Sequence, residues 1–414
     1  MSGAATVNGN HGASQQDDVP LWQFVKQSEF RLPSPVLDVR SIQLGLRGFV
    51  RGLLGNRRES ESPLEAGADL LALDDARLAR LVPSPEWSAV AQALSDHLQP
   101  WIEQQNTHKP VLFLVGAPYG GRLETLQALA QSDPFLHVRA PDWRAIVGCD
   151  HRWFKSWPRG TGVWVLTQLE KTCLRRPDGL DLVRELLARA LSGELGRGII
   201  GCDSWAWAFL RHVWAGRPAF SETVQAFDHA RLARLLAPPD EQHRRHHFRQ
   251  ADNGVFVLSP PRSADSLRSS TGFLERLAAY SRGNPGVAAA IWRTALQLLP
   301  ETGVEPAISE TDRRKLDTVW VKPWERVVRP ELPADAGMME AVTLHALLLH
   351  DGLPVARLAE MLPRARAQIS ETLLYLAEAG LVRHCEDDSW RVTAIGYPVV
   401  RSFLRVNDYL IDQL

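Results

Sequence analysis

The chain has 414 residues, 45% of them hydrophobic and 23% charged, with a formal net charge of −1. That length exceeds one compact core and predicts two or three domains. The near-neutral balance excludes a global field that draws the whole chain to nucleic acid or to an anionic membrane, so any such binding must come from a local patch.

The first twenty residues are rich in Gly, Ser, Asn and Gln and lack the charged start and apolar run of a signal peptide. Residues 1–20 are therefore expected to be a disordered tail. No apolar run is long enough to span a bilayer. Four cysteines, Cys149, Cys173, Cys202 and Cys385, lie far apart with no CxxC pair. They read as reduced thiols of a cytoplasmic protein.

Residues 21–84 form an N-terminal helical, basic segment. Between Lys26 and Arg58 seven Lys/Arg face only two acids, Glu29 and Asp38. From Val39 to Leu54, Ile42, Leu46, Phe49, Val50 and Leu53 share one helical stripe, with Arg40, Arg47 and Arg51 elsewhere on the wheel. Such a helix docks on the rest of the chain or makes a peripheral membrane contact. Gly45, Gly48 and Gly52 weaken it in isolation, which favours docking. An acidic run follows (Glu59, Glu61, Glu65, Asp69, Asp74, Asp75). Pro85-Glu86-Trp87 then opens a predicted helix through Trp101, with Val90, Leu94 and Leu98 on one face.

From Pro110 the pattern alternates short apolar runs (Val111 to Val115, Val163 to Leu166, Gly198 to Gly201) with helical patterns (Leu123 to Ala130, Leu180 to Leu191, Trp205 to Trp214). Strands alternating with helices predict an α/β parallel sheet over residues 85–260. The polar stretch Pro238 to Asn253 reads as a surface loop. Its His243-Arg244-Arg245-His246-His247 run is not a metal site, because the two arginines repel a cation. Phe273 to Leu299 is helical, broken at Gly283-Asn284-Pro285-Gly286, and suits a helical lid over residues 261–328. Pro330 to Pro333 is a linker to the C-terminal domain, residues 334–414.

The first strand runs directly into Gly116-Ala117-Pro118-Tyr119-Gly120-Gly121-Arg122-Leu123. A phosphate loop needs glycines so that backbone N–H groups can turn onto phosphate oxygens at the start of a helix. Gly116 and Gly121 have the spacing of GxxxxGK[ST], between the required strand and helix. Arg122 stands where lysine reaches the β- and γ-phosphates; it keeps the charge in a different shape. Leu123 stands where Ser or Thr holds Mg²⁺, and leucine cannot ligate a metal. The strand Val163 to Leu166 ends in Thr167 and Gln168, where an active enzyme carries acids for Mg²⁺ and water. Glu170 follows, as a remaining site acid or a surface acid. Asp203 and Ser204, at the end of the next apolar run, approach the γ-phosphate or cap the helix near Trp205; capping is favoured.

The order of these elements resembles AAA+ and STAND-type ATPases with replication-initiator-like architecture. Their phosphate loop, acidic strand and polar sensor strand are followed by a helical lid and a winged helix. The segment Ala279-Tyr-Ser-Arg-Gly-Asn-Pro-Gly286 is similar to the lid motif in which an arginine, here Arg282, faces nucleotide. The resemblance covers about Pro85 to Gly396. It implies ATP or ADP as ligand. The residues at 122, 123, 167 and 168 imply weak binding, with Mg²⁺ disfavoured and hydrolysis lost.

In the C-terminal part, Met338 to Leu349, Leu353 to Met361 and Arg366 to Ala379 read as helices. A hairpin through Leu381 to Cys385 and Trp390 to Thr393 follows, then a helix from Ile395. Three helices and a hairpin resemble a winged helix. Between Ala336 and Ala394 five arginines and no lysine face eight acids. Duplex binding rests on phosphate neutralisation, so this acid excess disfavours DNA and favours a protein partner or docking within the chain. The expected function is a nucleotide-binding or pseudo-ATPase regulatory protein acting through protein contacts, with no catalytic residues and no metal ligands. Two alternatives stay open: a DNA-binding transcriptional regulator, and a slow ATPase completed by a partner.

Overall fold

The short apolar runs become strands buried on both faces, as a parallel sheet covered by helices requires. The computed structural model describes residues 20–33, 63, 69–103, 109–158, 162–214, 216, 221–238, 246–258, 271–299 and 318–414. Residues 1–19 of the expected tail 1–20, the amphipathic segment 39–54, Glu59, Glu61, Glu65 and residues 243–245 lie outside the described residues.

The main sheet contains β3 (Val111–Gly116), β4 (Phe135–Val138), β5 (Val163–Leu166), β6 (Gly198–Asp203) and β7 (Ser221–Val224). These run parallel in the order β7-β3-β6-β5-β4. The N-terminal segment adds β1 (Phe24–Lys26), which pairs antiparallel with the β7 edge, Val25 opposite Thr223. Every residue of β3, β5 and β6 is buried. The helix Asp181–Ser192 turns Leu182, Val183, Leu186, Leu187 and Ala190 inward at helical spacing. The helix Ser204–Val213 does the same with Trp205, Ala206, Trp207 and Leu210. The α/β parallel sheet expected from the sequence is therefore present. β6 runs two residues beyond the expected Gly201 and ends on Asp203.

A second sheet departs from expectation. It contains β2 (Leu71–Ala72), β8 (His247–Gln250), β9 (Phe256–Leu258), β10 (Leu296–Leu298) and β11 (Thr318–Val321), in the order β2-β10-β11-β8-β9. The stretch read as one surface loop thus contains a strand whose Phe248 is fully buried, 5.7 Å from the Trp292 ring. The lid is not purely helical either. Its helices Thr271–Tyr280 and Pro285–Ala295 are followed by β10, where the helical pattern was extended to Leu299. The strands are too short for a period-two pattern to show, and their pairings join distant parts of the chain. The break between the two lid helices is as expected. Asn284 caps the second by accepting from the Val287 N–H at 3.1 Å, and Pro285 takes its first turn.

The C-terminal part has helices Met338–Leu349, Val355–Met361 and Arg366–Glu378. The hairpin of β12 (Val382–His384) and β13 (Trp390–Val392) follows, then the helix Tyr397–Val406. Among the described residues no helix is long and apolar enough to cross a membrane.

Candidate functional site

β3 delivers the glycine loop to the carboxyl end of the parallel sheet, where open α/β folds place their ligands. Gly121 sits at a φ of 83°, and a Cβ there would lie 2.7 Å from the Trp87 ring. The loop is pressed against Trp87 and Trp22, whose ring centroids are 5.6 Å apart. Inside the loop the Gly120 N–H donates to Ala117 O at 3.0 Å. The lid grips the loop's carbonyls: Asn284 Nδ2 donates to Pro118 O at 2.7 Å and the Gly286 N–H to Tyr119 O at 3.1 Å. Tyr119 has a φ of 66°, and its hydroxyl donates to Val392 O of the hairpin. Burial holds that phenol well above its ordinary pKa.

Arg122 turns inward rather than toward the loop. It is 5% exposed, and its Nη2 meets Glu170 Oε1 at 2.7 Å while Nη1 donates to Thr167 O at 2.5 Å. Gly201 of β6 makes room, since a Cβ there would fall 3.0 Å from Arg122 Nη1 and 2.5 Å from Thr167 O. Glu170 is not a surface acid: it is 1% exposed, and its Oε2 accepts the Asp203 N–H at 3.0 Å. Asp203 caps the following helix, accepting from the Trp205 N–H at 2.9 Å. Burial, reinforced by the Glu170 charge, raises the Asp203 pKa well above the usual carboxylate value. Burial opposes the Arg122 charge, but Glu170 and Asp203 outweigh it and hold the guanidinium above its ordinary pKa. Leu123 is half-buried. The nearest hydroxyl along the helix, on Thr125, turns back to Gly121 O at 2.6 Å.

The C-terminal part packs against the end of β5. Gln168 Nε2 donates to Asp351 Oδ2 at 3.1 Å, and Lys171 Nζ to Asp351 O at 2.9 Å. The Arg175 N–H donates to His350 Nε2 at 3.3 Å, and Arg175 Nη1 lies 3.2 Å from His345 Nδ1. Burial raises the Asp351 pKa and lowers that of Lys171.

Arg282 does not join the buried Arg122–Glu170 pair. With Gly116, Ala117 and Gly120 it lines a pocket that leaves about 40 Å³ for the centres of water molecules. Its Nη2 donates to the main-chain oxygen of Leu414 at 2.9 Å. The expected site residues thus fall in two groups around the loop, with Arg122, Glu170 and Asp203 buried beneath it and Arg282 at its rim. Asp351 and Leu414 were missed. Asp351-Gly352 carries a turn signal, with φ values of 47° and 90°, but nothing local says that this turn meets β5.

Cys149, His151 and Glu185 offer ligand atoms within 4.8 Å of one another. Both Glu185 oxygens are engaged, Oε2 by His151 Nδ1 at 2.6 Å and Oε1 by Arg189 Nη2 at 2.5 Å. A guanidinium on the same carboxylate opposes a bound cation.

No family model matches the chain, and no curated protein does. Among solved structures it is similar to Cdc6p from Pyrobaculum aerophilum, at 15% identity and a TM-score of 0.28, over 81% of this chain and 97% of that one. It is also similar to the ORC2 protein of Aeropyrum pernix, solved as ADPNP–ADP complexes, at 13% identity and a TM-score of 0.30, over 82% and 99%. A third is a Walker-type ATPase of Pyrococcus abyssi, at 13% identity and a TM-score of 0.27, over 78% and 95%.

Proposed function

We propose that the glycine loop is a weak, largely Mg²⁺-independent site for ATP or ADP, in a regulatory protein that acts by contact rather than by turnover. The observation that carries this reading is the Arg122–Glu170 pair, 2.7 Å apart and buried. The cation that stands at the phosphate-reaching position is neutralised beneath the loop by the acid that remains beyond β5. Leu123 supplies no metal ligand, and Gln168 donates to Asp351. What is retained is a loop at a helix start, whose N–H groups favour an anion, and an arginine at its rim. The C-terminal part is read as a winged helix that docks on the core. Its turn at 350–352, its hairpin and its last helix all make polar contacts there, and its acid excess opposes a polyanion. That leaves the exposed Leu374 and Tyr375 of the third helix for a protein partner.

Thermal stabilisation by ATP and ADP, with and without Mg²⁺, tests the site, because a ligand bound only by the native state raises the melting point by mass action. The expected result is a small shift that does not depend on Mg²⁺. A large shift that requires Mg²⁺, with steady phosphate release, favours the slow ATPase. Sequence-selective duplex binding at low salt, lost in Arg366→Glu, favours the transcriptional regulator.

A further inference from the structure

Residues 409–414, beyond the last helix, run from the C-terminal domain across the core to the glycine loop. Asp412 is 2% exposed and ties this segment to two helices. Its Oδ1 accepts from Arg401 Nε at 2.9 Å, and its Oδ2 from Ser204 Oγ at 2.7 Å and from the Tyr397 hydroxyl at 3.2 Å. Ser204 opens the helix after β6, next to Asp203 of the buried site. Upstream, His345 Nε2 lies 3.0 Å from Leu410 O. Downstream, Leu414 is 6% exposed and lines the same pocket as Gly116, Ala117 and Gly120.

Arg282 meets this segment in a conformation that costs energy. Its φ is 56°, a left-handed value that a non-glycine residue keeps only where its surroundings enforce it. Nη2 is bonded to Leu414 O, while the buried Nε has no hydrogen-bond partner among the described residues. A guanidinium also bonds phosphate oxygens through charge-assisted hydrogen bonds, so a phosphate would compete for the same Nη2. The space left, about 40 Å³, is far below the roughly 300 Å³ at which small-molecule sites begin.

We propose that residues 409–414 are an internal strap that fills the nucleotide pocket and competes with the phosphates of a nucleotide for Arg282. This rests on the reading of the loop as a nucleotide site and names how that site is regulated. With the strap in place, the pocket is closed and the C-terminal domain is locked to the core through Asp412. Nucleotide binds the strap-out state, so its apparent affinity is reduced by the fraction of molecules in that state. Occupancy of the pocket is thereby transmitted to the C-terminal domain, because release of Asp412 frees Ser204, Tyr397 and Arg401 together.

The test uses the full chain as wild type and as Asp412→Asn, which keeps the shape and removes the charge facing Arg401. ADP binding is measured calorimetrically, and amide exchange of residues 409–414 is followed with and without ADP. The expected result is about tenfold tighter ADP binding by Asp412→Asn, as strap release raises the competent fraction. In the wild type, saturating ADP should abolish protection of residues 409–414. Equal affinities with the strap still protected overturn the strap and leave the nucleotide site standing. If Asp412→Asn does not fold, exchange in the wild type decides alone: protection unchanged at saturating ADP refutes the competition. If neither form binds ADP at about 10 mM, a Kd weaker than the usual ligand range, the nucleotide reading falls and the strap's role falls with it.

Discussion

Taking away the Glu170 carboxylate should harm the core far more than taking away the whole ion pair. Glu170 accepts from Arg122 Nη2 at 2.7 Å and from the Asp203 N–H at 3.0 Å, and both side chains of the pair are buried. In Glu170→Ala the guanidinium stays buried with Thr167 O as its remaining acceptor, and the Asp203 N–H loses its partner. Breaking a buried pair by removing one member costs about 3–5 kcal/mol. An orphaned buried N–H costs about 1–3 kcal/mol, though the two terms overlap in one network. A loss of about 4 kcal/mol is therefore expected, against about 0–1 kcal/mol for an exposed pair. The double variant Arg122→Met with Glu170→Leu removes both charges and keeps the volume filled. It should fall within about 2 kcal/mol of wild type, because the pair's own desolvation offsets much of its attraction. The assay is a double-mutant cycle by urea unfolding, followed by tryptophan fluorescence. A Glu170→Ala loss below about 1 kcal/mol would refute the reasoning, as would a double variant no more stable than the single one.

Phosphate release from ATP should be negligible for the isolated protein and unchanged in Arg122→Ala, since Leu123, Thr167 and Gln168 leave no group to hold Mg²⁺ or orient water; robust release abolished by that substitution would contradict this. Stability should fall on acidification: burial, then Arg175 for His345 and Lys171 for His350, lowers each imidazole from 6.5 to about 4. The unfolded chain binds these protons first, so the contribution is fully present above pH 6.5 and is lost as pH falls toward 4, by about 2 kcal/mol per histidine at about pH 5. Urea midpoints at about pH 7.5 and pH 5 check this, and the drop should shrink in His345→Gln with His350→Gln; a wild-type profile that stays flat is incompatible with it. Gln168→Glu should loosen the C-terminal domain by about 1–3 kcal/mol, with Asp351→Asn restoring it in the double variant; no loss, or no rescue, speaks against the Gln168–Asp351 contact.

The parallel sheet was legible because β3 and β5 are apolar throughout and β6 is apolar up to its last residue, Asp203, a signal that depends only on neighbouring residues. The loop was legible for the same reason, since Gly116 and Gly121 lie within one strand–turn–helix unit. The second sheet was not, because β8 offers one buried apolar residue, Phe248, and pairs in parallel with β11, 71 residues on. The fate of the Arg122 charge was hidden too. Glu170 reads alike as a surface or a buried acid until β5 and β6 are placed side by side. The Asp351 turn and the Asp412 contacts join residues about 180 and 208 positions apart, and no local pattern encodes such a meeting.

On the proposed reading, the amide at position 168 and the docking of the C-terminal part are physically linked at the end of β5. A catalytic acid at position 168 would face the Asp351 carboxylate across the 3.1 Å contact that Gln168 now bridges with a donated hydrogen bond. Asp351 already sits with a raised pKa, because burial disfavours its charge and, with the Glu170 charge added, outweighs what Lys171, Arg391 and Arg122 remove. A second carboxylate there would meet desolvation and like-charge repulsion together, and one of the two would have to take up a proton or leave. The amide of Gln168 avoids both penalties and supplies a donor. The same holds beneath the loop, where an arginine reaching out to phosphate would abandon Glu170 as an uncompensated buried charge. Arg122 and Gln168 therefore stabilise the molecule through their contacts to Glu170 and Asp351. An acid at position 168 would therefore cost the docking of the C-terminal part against β5.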